Sequence, residues 1–290
     1  MANTIAVAKK YTSILDEVYC GASVTADLTS DNSMVRAGAN ANEIIYPQIS
    51  VSGLGDYLRN SGYTQGYVDL VWKTATFNYD RGTKISVDVM DDEESRDIAF
   101  TMAGSELMRT KVAPEADAFT FATLAGISGI STATPATYAD ATEFLQALIE
   151  AKNKMDEDEV PEEGRILYAT PTLMNGVMAL DTTKSREILN SFTVKKKVPQ
   201  SRFYTAIDLL DGKSPSEEAG HYKKATLGKD INFMIVHKPA VIKFDKHTAS
   251  DIIPASANAN ADADISKYRK YGIVDVFQNK VAGIYLSHKA

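Results

Sequence analysis

The sequence contains a single cysteine, Cys20, among 290 residues. One thiol cannot form a disulfide within the chain, so we expect a fold stabilised by packing and assembly, in a reducing compartment. No apolar run approaches the roughly eighteen residues that a membrane-spanning helix needs. The N-terminus lacks a basic start followed by an apolar block. We therefore expect neither a membrane span nor a secretory signal.

The signature motifs of common enzyme classes are also missing. The chain has no phosphate-binding loop, no GxGxxG after a strand, no GxSxG, no HExxH and no CxxC. Cys20 has no histidine near it in sequence, which disfavours a catalytic thiol. The histidines lack the short spacing of a metal site: His221, His237, His247 and His288. These absences predict no catalytic residue, no cofactor and no metal.

The chain has a moderate content of charged residues and is slightly acidic overall. The net charge is −7, the isoelectric point is about 5.2 and the mean hydropathy is −0.20. This balance excludes a strongly basic nucleic-acid binder. Acidic residues at 156–159, and Asp262 with Asp264, lack the pattern of a calcium loop and are interpreted as solvated. The basic residues 195–197 have no interleaved aromatic side chains, so we expect a solvated loop rather than a phosphate site.

Residues 91–126 form the stretch around which the chain is organised, because apolar residues recur there at a helical period. Acidic residues open this stretch and Gly126 closes it, as in a long helix. Pro114 removes a backbone N–H inside the stretch. Either the helix kinks at Pro114, or a second helix begins there with Pro114 near its first position. We favour one kinked helix that acts as a strut.

Residues 67–78 and 84–89 show the period-two alternation of strands. The connection at 79–82 contains the aspartate and glycine of a chain reversal, so we predict a long hairpin. Three aromatic residues and one arginine lie on it: Trp72, Phe77, Tyr79 and Arg81. They fit an ordinary core and an inter-subunit contact about equally well, because such side chains concentrate at interfaces.

Later segments alternate between helix and strand. Asp140 with Glu143 resembles a capping arrangement for a helix that ends near residue 159. Residues 165–169 predict a buried strand, and Pro171 begins a further helix after it. This order indicates an α/β layer. Further strands are predicted at 231–236, 240–244, 268–277 and 281–286, with an exposed loop at 255–264.

The order of these segments resembles the major capsid protein of tailed bacteriophages, which has the Hong Kong 97 fold. The stretches that carry the resemblance are DRGTKISVDVMDDEES, RTKVAPEADAFTFATLA, AKNKMDEDEVPEEGRILYATPTLMNGV, INFMIVHKPAVIKFDK and YRKYGIVDVFQNKVAGIYLSHK. They cover most of the chain from about residue 40 onward. No single motif is specific, and the resemblance depends on their joint order.

The resemblance implies an α+β fold with four regions. These are an N-terminal arm (1–40), an extended-loop region (41–90), a peripheral domain with the spine helix (91–129 and 251–290) and an axial domain (130–250). Pro114 would mark the kink of the spine helix. The projecting hairpin would place Trp72, Phe77, Tyr79 and Arg81 at a contact with another subunit.

The resemblance also implies partners. Subunits would form pentamers and hexamers that close into an icosahedral shell around double-stranded DNA, inside the host bacterial cytoplasm, and would remain in the virion. A separate scaffolding protein, or a segment already removed, is expected, together with a portal protein and, in some relatives, a decoration protein. Contact with DNA would be weak and non-specific.

Two alternatives remain open from the sequence. An encapsulin-type compartment would use the same fold to hold an enzyme cargo. A cytoplasmic α/β enzyme would assemble its site from scattered residues and form a small oligomer.

Overall fold

The computed structural model describes residues 23–30, 36–37, 42–57, 59–60, 62–90, 104–217 and 220–290. The expectations for Cys20 and for residues 91–103 lie outside these ranges. The described residues fall into two compact units: residues 31–78, and residues 79–290 with the segment that precedes residue 31. The four-region division drawn from the resemblance stays a prediction.

The strands are β1 (Arg36–Ala37), β2 (Glu43–Val51), β3 (Val68–Thr76), β4 (Tyr79–Asp88), β5 (Ser131–Thr132), β6 (Arg165–Ala169), β7 (Val194–Lys197), β8 (Ile207–Leu209), β9 (Tyr222–Lys224), β10 (Ile231–His237), β11 (Val241–Ile253), β12 (Ala263–Val276) and β13 (Ile284–His288). The α-helices are α1 (Ala113–Ala125), α2 (Ala141–Glu157), α3 (Pro171–Ala179) and α4 (Thr183–Asn190). Short 3-10 helices occupy Ala26–Leu28, Gln200–Arg202, Lys238–Ala240, Ala255–Ala257 and Gln278–Gly283.

The long helix is continuous over its described part, residues 104–125. A π-helical turn, Met108–Val112, precedes α1, and Val112 and Ala113 keep helical backbone angles. The Ala113 N–H donates to the carbonyl of Met108, five residues back. Pro114 follows at once. A wider turn before a proline accommodates the missing N–H and the crowded ring. The interpretation as one element thus holds for this part, and the bend at Pro114 stays a prediction.

A five-stranded sheet lies at the centre of the larger unit, in the order β5-β13-β10-β6-β7. Strand β10 is antiparallel to β13 and β6, whereas β5 and β7 lie parallel to their neighbours at the two edges. Because side chains alternate along a strand, each strand feeds both faces. Covering both faces with helices explains why β6 and β10 are buried along their whole length and are mostly apolar.

The first face packs against α1. Phe121 lies 5.2 Å from the Tyr168 ring and 4.7 Å from the Phe203 ring, centroid to centroid. The apolar side chains that this face contributes are Ile166, Tyr168, Met234, Val236, Ile284 and Leu286. Helix α1 is buried around most of its circumference, which is typical of a helix enclosed by protein.

The second face packs against α2, α3 and α4. Phe144 of α2 lies 5.5 Å from the Phe233 ring of β10. The side chains of this face are Leu167, Ala169, Phe233, Ile235 and Tyr285. Asp140 caps α2 as predicted, since its carboxylate accepts from the N–H groups of Thr142 and Glu143. Thr170 precedes α3, but its side chain makes no capping hydrogen bond.

The predicted hairpin between residues 67–78 and 84–89 is wrong. Strand β3 pairs with β2, and β4 pairs with β12 in a separate sheet of order β11-β12-β4. Residues 79–82 are therefore strand, not a reversal. Gly82 lies beside the β12 backbone, where an added Cβ would come within 2.8 Å of the Tyr268 carbonyl. Glycine is required there for close strand approach, not for a turn.

The basic residues 195–197 were predicted to form a solvated loop, and this prediction is also wrong. They form most of β7, an edge strand beside β6. Their alternation explains the difference: Lys195 and Lys197 are exposed, whereas Lys196 turns to the opposite side and bonds to Asp27 at 2.7 Å. The predicted strands near 231–236, 240–244, 268–277 and 281–286 are confirmed as β10 to β13, with shifted bounds.

Candidate assembly surfaces

The β2–β3 ribbon carries an exposed apolar face in its distal half. Register pairs Pro47 with Trp72, Ile49 with Leu70 and Val51 with Val68. Directly paired residues point to the same side of an antiparallel ribbon. The apolar face therefore consists of these six side chains: Pro47, Ile49, Val51, Val68, Leu70 and Trp72.

Exposure of this face is high. Val68 is 70% exposed, Val51 67% and Ile49 61%, and even Trp72 is 43% exposed. The alternate positions on the same strands are mostly polar: Ser50 lies opposite Asp69, and Gln48 lies opposite Val71. The distal ribbon is thus amphipathic, with its apolar side facing solvent in the isolated chain. Contiguous apolar patches of this kind mark interaction surfaces.

The loop beyond the ribbon adds more apolar area. The rings of Tyr57 and Tyr63 contact each other edge-on at 4.9 Å between centroids. Tyr63 is 90% exposed, and Leu54 is fully exposed. Tyrosine supplies contact area at a low cost in conformational entropy, so this loop suits binding to another protein.

A buried ionic cluster surrounds Glu115 on α1. Arg81 donates to its carboxylate from Nε at 2.7 Å, and the Tyr79 hydroxyl donates at 3.3 Å. The Nδ1 atom of His221 lies 3.6 Å from Glu115 Oε2. Burial alone would raise the pKa of Glu115, but His221 and Arg81 outweigh it, and the pKa lies below its ordinary value. The carboxylate is therefore ionised at neutral pH and ties β4 to the long helix.

A second buried carboxylate, Asp117, holds the segment 23–30. Asp117 is fully buried and accepts from the hydroxyls of Ser23 at 2.8 Å and Thr25 at 2.7 Å. It also accepts from the backbone N–H groups of Val24 and Thr25, and Arg202 lies 3.2 Å away. Five donors on one carboxylate compensate the loss of its hydration.

Lys243 supports the same segment from the other side. Its ammonium donates to the Thr25 carbonyl at 2.9 Å and to the Thr25 hydroxyl. Burial lowers the pKa of Lys243 to about 8. The backbone N–H of Ser30 donates to the Lys243 carbonyl at 2.9 Å. Residues 23–30 are thus fixed to the larger unit by polar contacts, with Leu28 inserted in the core.

Among the residues that the structure describes, no group of three or more histidine, cysteine, aspartate or glutamate side chains is arranged to hold a metal ion. No described helix combines the length and apolarity that crossing a membrane requires.

Comparison with known proteins gives matches in structure only. No protein-family model and no curated protein sequence matches the chain. The cyanophage P-SCSP1u capsid matches with a TM-score of 0.61 and 14% identity, over 93% of this chain and 88% of that one. The bacteriophage PhiM1 mature capsid matches with a TM-score of 0.58 and 13% identity, over 88% and 84% of the two chains. The virus-like particle from Pyrococcus furiosus matches with a TM-score of 0.60 and 10% identity, over 97% and 99%.

The chain has the Hong Kong 97-like capsid fold. The likeness extends over nearly the whole of both chains in each comparison, so it concerns the complete capsid fold and not a shared fragment. The α+β fold class expected from the sequence is confirmed. With identities between 10% and 14%, the likeness concerns the fold and not the individual side chains.

The four predicted contact residues differ in their surroundings. Trp72 is on the exposed ribbon face, and Phe77 is half-buried just beyond β3. Tyr79 is buried against the Phe119 ring at 4.9 Å, and Arg81 is held by Glu115. An inter-subunit role for these residues stays a prediction, and Trp72 is the most exposed of the four.

Sequence reasoning missed the other members of the ribbon face. Part of the signal was present, because residues 47, 49 and 51 alternate with the polar residues Gln48 and Ser50. Between residues 68, 70 and 72 the alternation is weaker, since Asp69 is polar but Val71 is not. The glycines that follow residue 52 favoured an interpretation as turns and short strands. Proline is acceptable in β2 because, among the described residues, position 47 pairs with a strand on one side only.

Proposed function

We propose that this chain is the major capsid protein of a tailed bacteriophage, which self-assembles through pentamers and hexamers into an icosahedral shell around double-stranded DNA. The observation that carries the proposal is the apolar ribbon face on a chain with a capsid fold. The described sheet has the order β1-β2-β3, but β1 pairs only with Ile44 and Ile45, so the part that carries the apolar face has two strands. Such a narrow ribbon is only marginally stable in water, and its apolar side needs a partner. In a shell, that partner is an adjacent subunit.

In this role the chain is a structural protein and not an enzyme. Its partners are further copies of itself, a scaffolding protein during assembly, a portal protein at one vertex and, in some shells, a decoration protein. The net charge of −7 disfavours tight adhesion to packaged DNA and leaves weak, non-specific contact. The protein is then a component of the virion that assembles in the cytoplasm of the host bacterium.

An encapsulin-type compartment is the second candidate. It is favoured by the similarity to the Pyrococcus furiosus virus-like particle, which covers 99% of that chain. Neighbouring genes separate the two functions: portal, terminase and scaffolding genes accompany a phage capsid gene, whereas a cargo enzyme gene accompanies a compartment gene. Shells that contain nuclease-protected DNA support the first function, and shells that contain a protein cargo support the second.

The ribbon face gives the direct test of assembly. We expect Val68→Thr with Leu70→Thr to leave a folded subunit, since threonine also favours strands. Assembly should fall by about a hundredfold, because two apolar side chains that would be buried at an interface are lost. The measurement is the amount of shell in electron micrographs and in sedimentation, with the protein expressed beside its neighbouring genes.

Asp69→Thr is the matched control, because Asp69 lies between the two residues on the opposite face. It should assemble as the wild type does. Small oligomers alone from the wild-type chain, with any scaffolding protein supplied, would contradict a shell function. Normal shells from the double variant would show that this face is not the assembly contact.

A further inference from the structure

The central five-stranded sheet has two edges of opposite charge. Strand β5 closes one edge and β7 closes the other. Within the described residues, each of these strands pairs on one side only. Unpaired strand edges are commonly covered or charged in native proteins, since they otherwise pair with other chains. Here the two edges differ in the sign of the charge that they carry.

The β7 edge is basic. Lys195 and Lys197 are exposed and point to the side of the sheet that holds α3 and α4. Their ammonium groups lie near neutral amides, 3.4 Å from Asn190 Oδ1 and 2.5 Å from Asn175 Oδ1. In the part of the chain that the structure describes, neither lysine has a carboxylate within ion-pair distance, so both charges are uncompensated.

The β5 edge opens into an acidic cleft of about 940 Å³ between residues 131–138 and one side of α2. Three carboxylates line it, those of Asp140, Glu143 and Glu150. Asp140 and Glu143 accept from backbone N–H groups, and Glu150 accepts from the Gln146 amide. Among the described residues, none of the three carboxylates has an ion-pair partner.

The cation that lines this cleft does not neutralise it. Lys154 bonds to Asp158 at 2.7 Å on its own helix. The cleft also includes Tyr285, a residue of the sheet face that packs against α2 and α3. The acidic cleft and the basic edge therefore lie on the same side of the sheet, at opposite ends of it.

We infer that Lys195 and Lys197 of one subunit dock in the acidic cleft of the next subunit, in a head-to-tail contact. Two different, complementary patches on one chain make a heterologous contact, and such contacts generate rings when the rotation closes. The inference deepens the proposed function, on which it depends, by naming the surfaces that join neighbours within a ring. Charge complementarity would fix the register of the contact and speed its formation.

Charge reversal tests the contact. Lys195→Glu with Lys197→Glu, or Glu143→Lys with Glu150→Lys, should each reduce ring and shell formation by at least about tenfold, because like charges then face each other. All four changes in one chain should restore assembly. Lys213→Glu with Lys223→Glu is the control for net charge, since both lysines are exposed elsewhere, and it should assemble normally.

Mixing the two reversed variants gives a sharper readout. The variant with lysines in its cleft accepts only the edge that carries glutamates, and the variant with an acidic cleft accepts only the edge that carries lysines. Each subunit therefore binds only the other variant, and the two kinds of subunit must alternate around a ring. Alternation is possible in a ring of six and impossible in a ring of five. We expect six-membered rings or open hexamer arrays in electron micrographs, without five-membered rings and without closed shells.

The outcomes separate this inference from the proposed function. Shells from the wild type and from both reversed variants would overturn the docking contact alone. Failure of the quadruple variant, which carries all four charge reversals, to regain assembly would also overturn the docking contact. If the variant Lys195→Glu with Lys197→Glu formed normal shells but retained less DNA, the basic edge would be a contact with nucleic acid instead. Absence of any ring from the wild type would overturn the proposed function together with this contact.

Discussion

Strands β10 and β3 are both rich in apolar residues, yet they use them in opposite ways. Every residue of β10 is buried, because β13 and β6 flank it and helices cover both faces of the sheet. In β3, by contrast, Val68, Leu70 and Trp72 are all exposed. A strand with layers above and below completes a core within the subunit. A strand at the edge of a small sheet, with its apolar side exposed, offers that side to another molecule.

The largest effect should come from the core side of this comparison. Phe121→Ala removes a fully buried ring that contacts Tyr168 and Phe203. We expect the free energy of unfolding to fall by about 4 kcal/mol, measured by urea denaturation of unassembled subunits. Leu227→Ala is the control at an 87% exposed leucine and should change little. An equally small loss for Phe121→Ala would contradict the packing of α1 on the sheet.

An intermediate effect is expected at the buried ion pair of Glu115 with Arg81. Glu115→Gln should lower the free energy of unfolding by about 2 kcal/mol at neutral pH. The pKa of Glu115 is lowered in the folded state, so its contribution is present above the unfolded pKa and is lost as pH falls through the folded pKa. The difference between wild type and variant should therefore shrink under acidic conditions.

Glu106→Gln provides the matched control on the same helix. Glu106 pairs with Arg109 at 2.7 Å, but both side chains are more than half exposed. Exposed pairs contribute about 0.5 kcal/mol, so this variant should unfold almost as the wild type does. If the two variants gave the same loss at all pH values, burial would not distinguish the two ion pairs.

The smallest effect on the subunit should come from the ribbon. Ile49→Thr replaces a 61% exposed side chain with another β-branched one. The free energy of unfolding of the unassembled subunit should change by less than about 0.5 kcal/mol. A loss of about 2 kcal/mol would mean that Ile49 packs within its own subunit, and the contrast with β10 would fail.

The inner strands β6 and β10 could be predicted because their signals are local, whereas the edge strand β7 was predicted as a loop. Residues 166–169 are continuously apolar, and Pro171 begins the next helix two residues after them. Pairing of β4 could not be predicted in this way. Its sequence contains Asp80 and Gly82, which favour a turn, but Asp80 bonds to Arg269 and Arg81 bonds to Glu115, residues far away in the chain. These non-local contacts override the local preference.

The candidate surfaces were only partly predictable for the same reason. The sequence makes Trp72 one of four contact candidates but does not indicate which of the four is exposed. It does not reveal that Tyr79 is enclosed, because the ring of Phe119 that covers it comes from the helix. The acidic cleft also depends on tertiary structure, since β5 and α2 must first be brought together.

The buried carboxylate of Asp117 limits how the chain can be shortened. All but one of its donors come from Ser23, Val24 and Thr25. A version of the protein trimmed beyond Ser23 would keep a charge in the core while removing the groups that compensate it. Engineering of the N-terminus should therefore begin upstream of this residue, and fusions placed there would leave the anchor of the long helix intact.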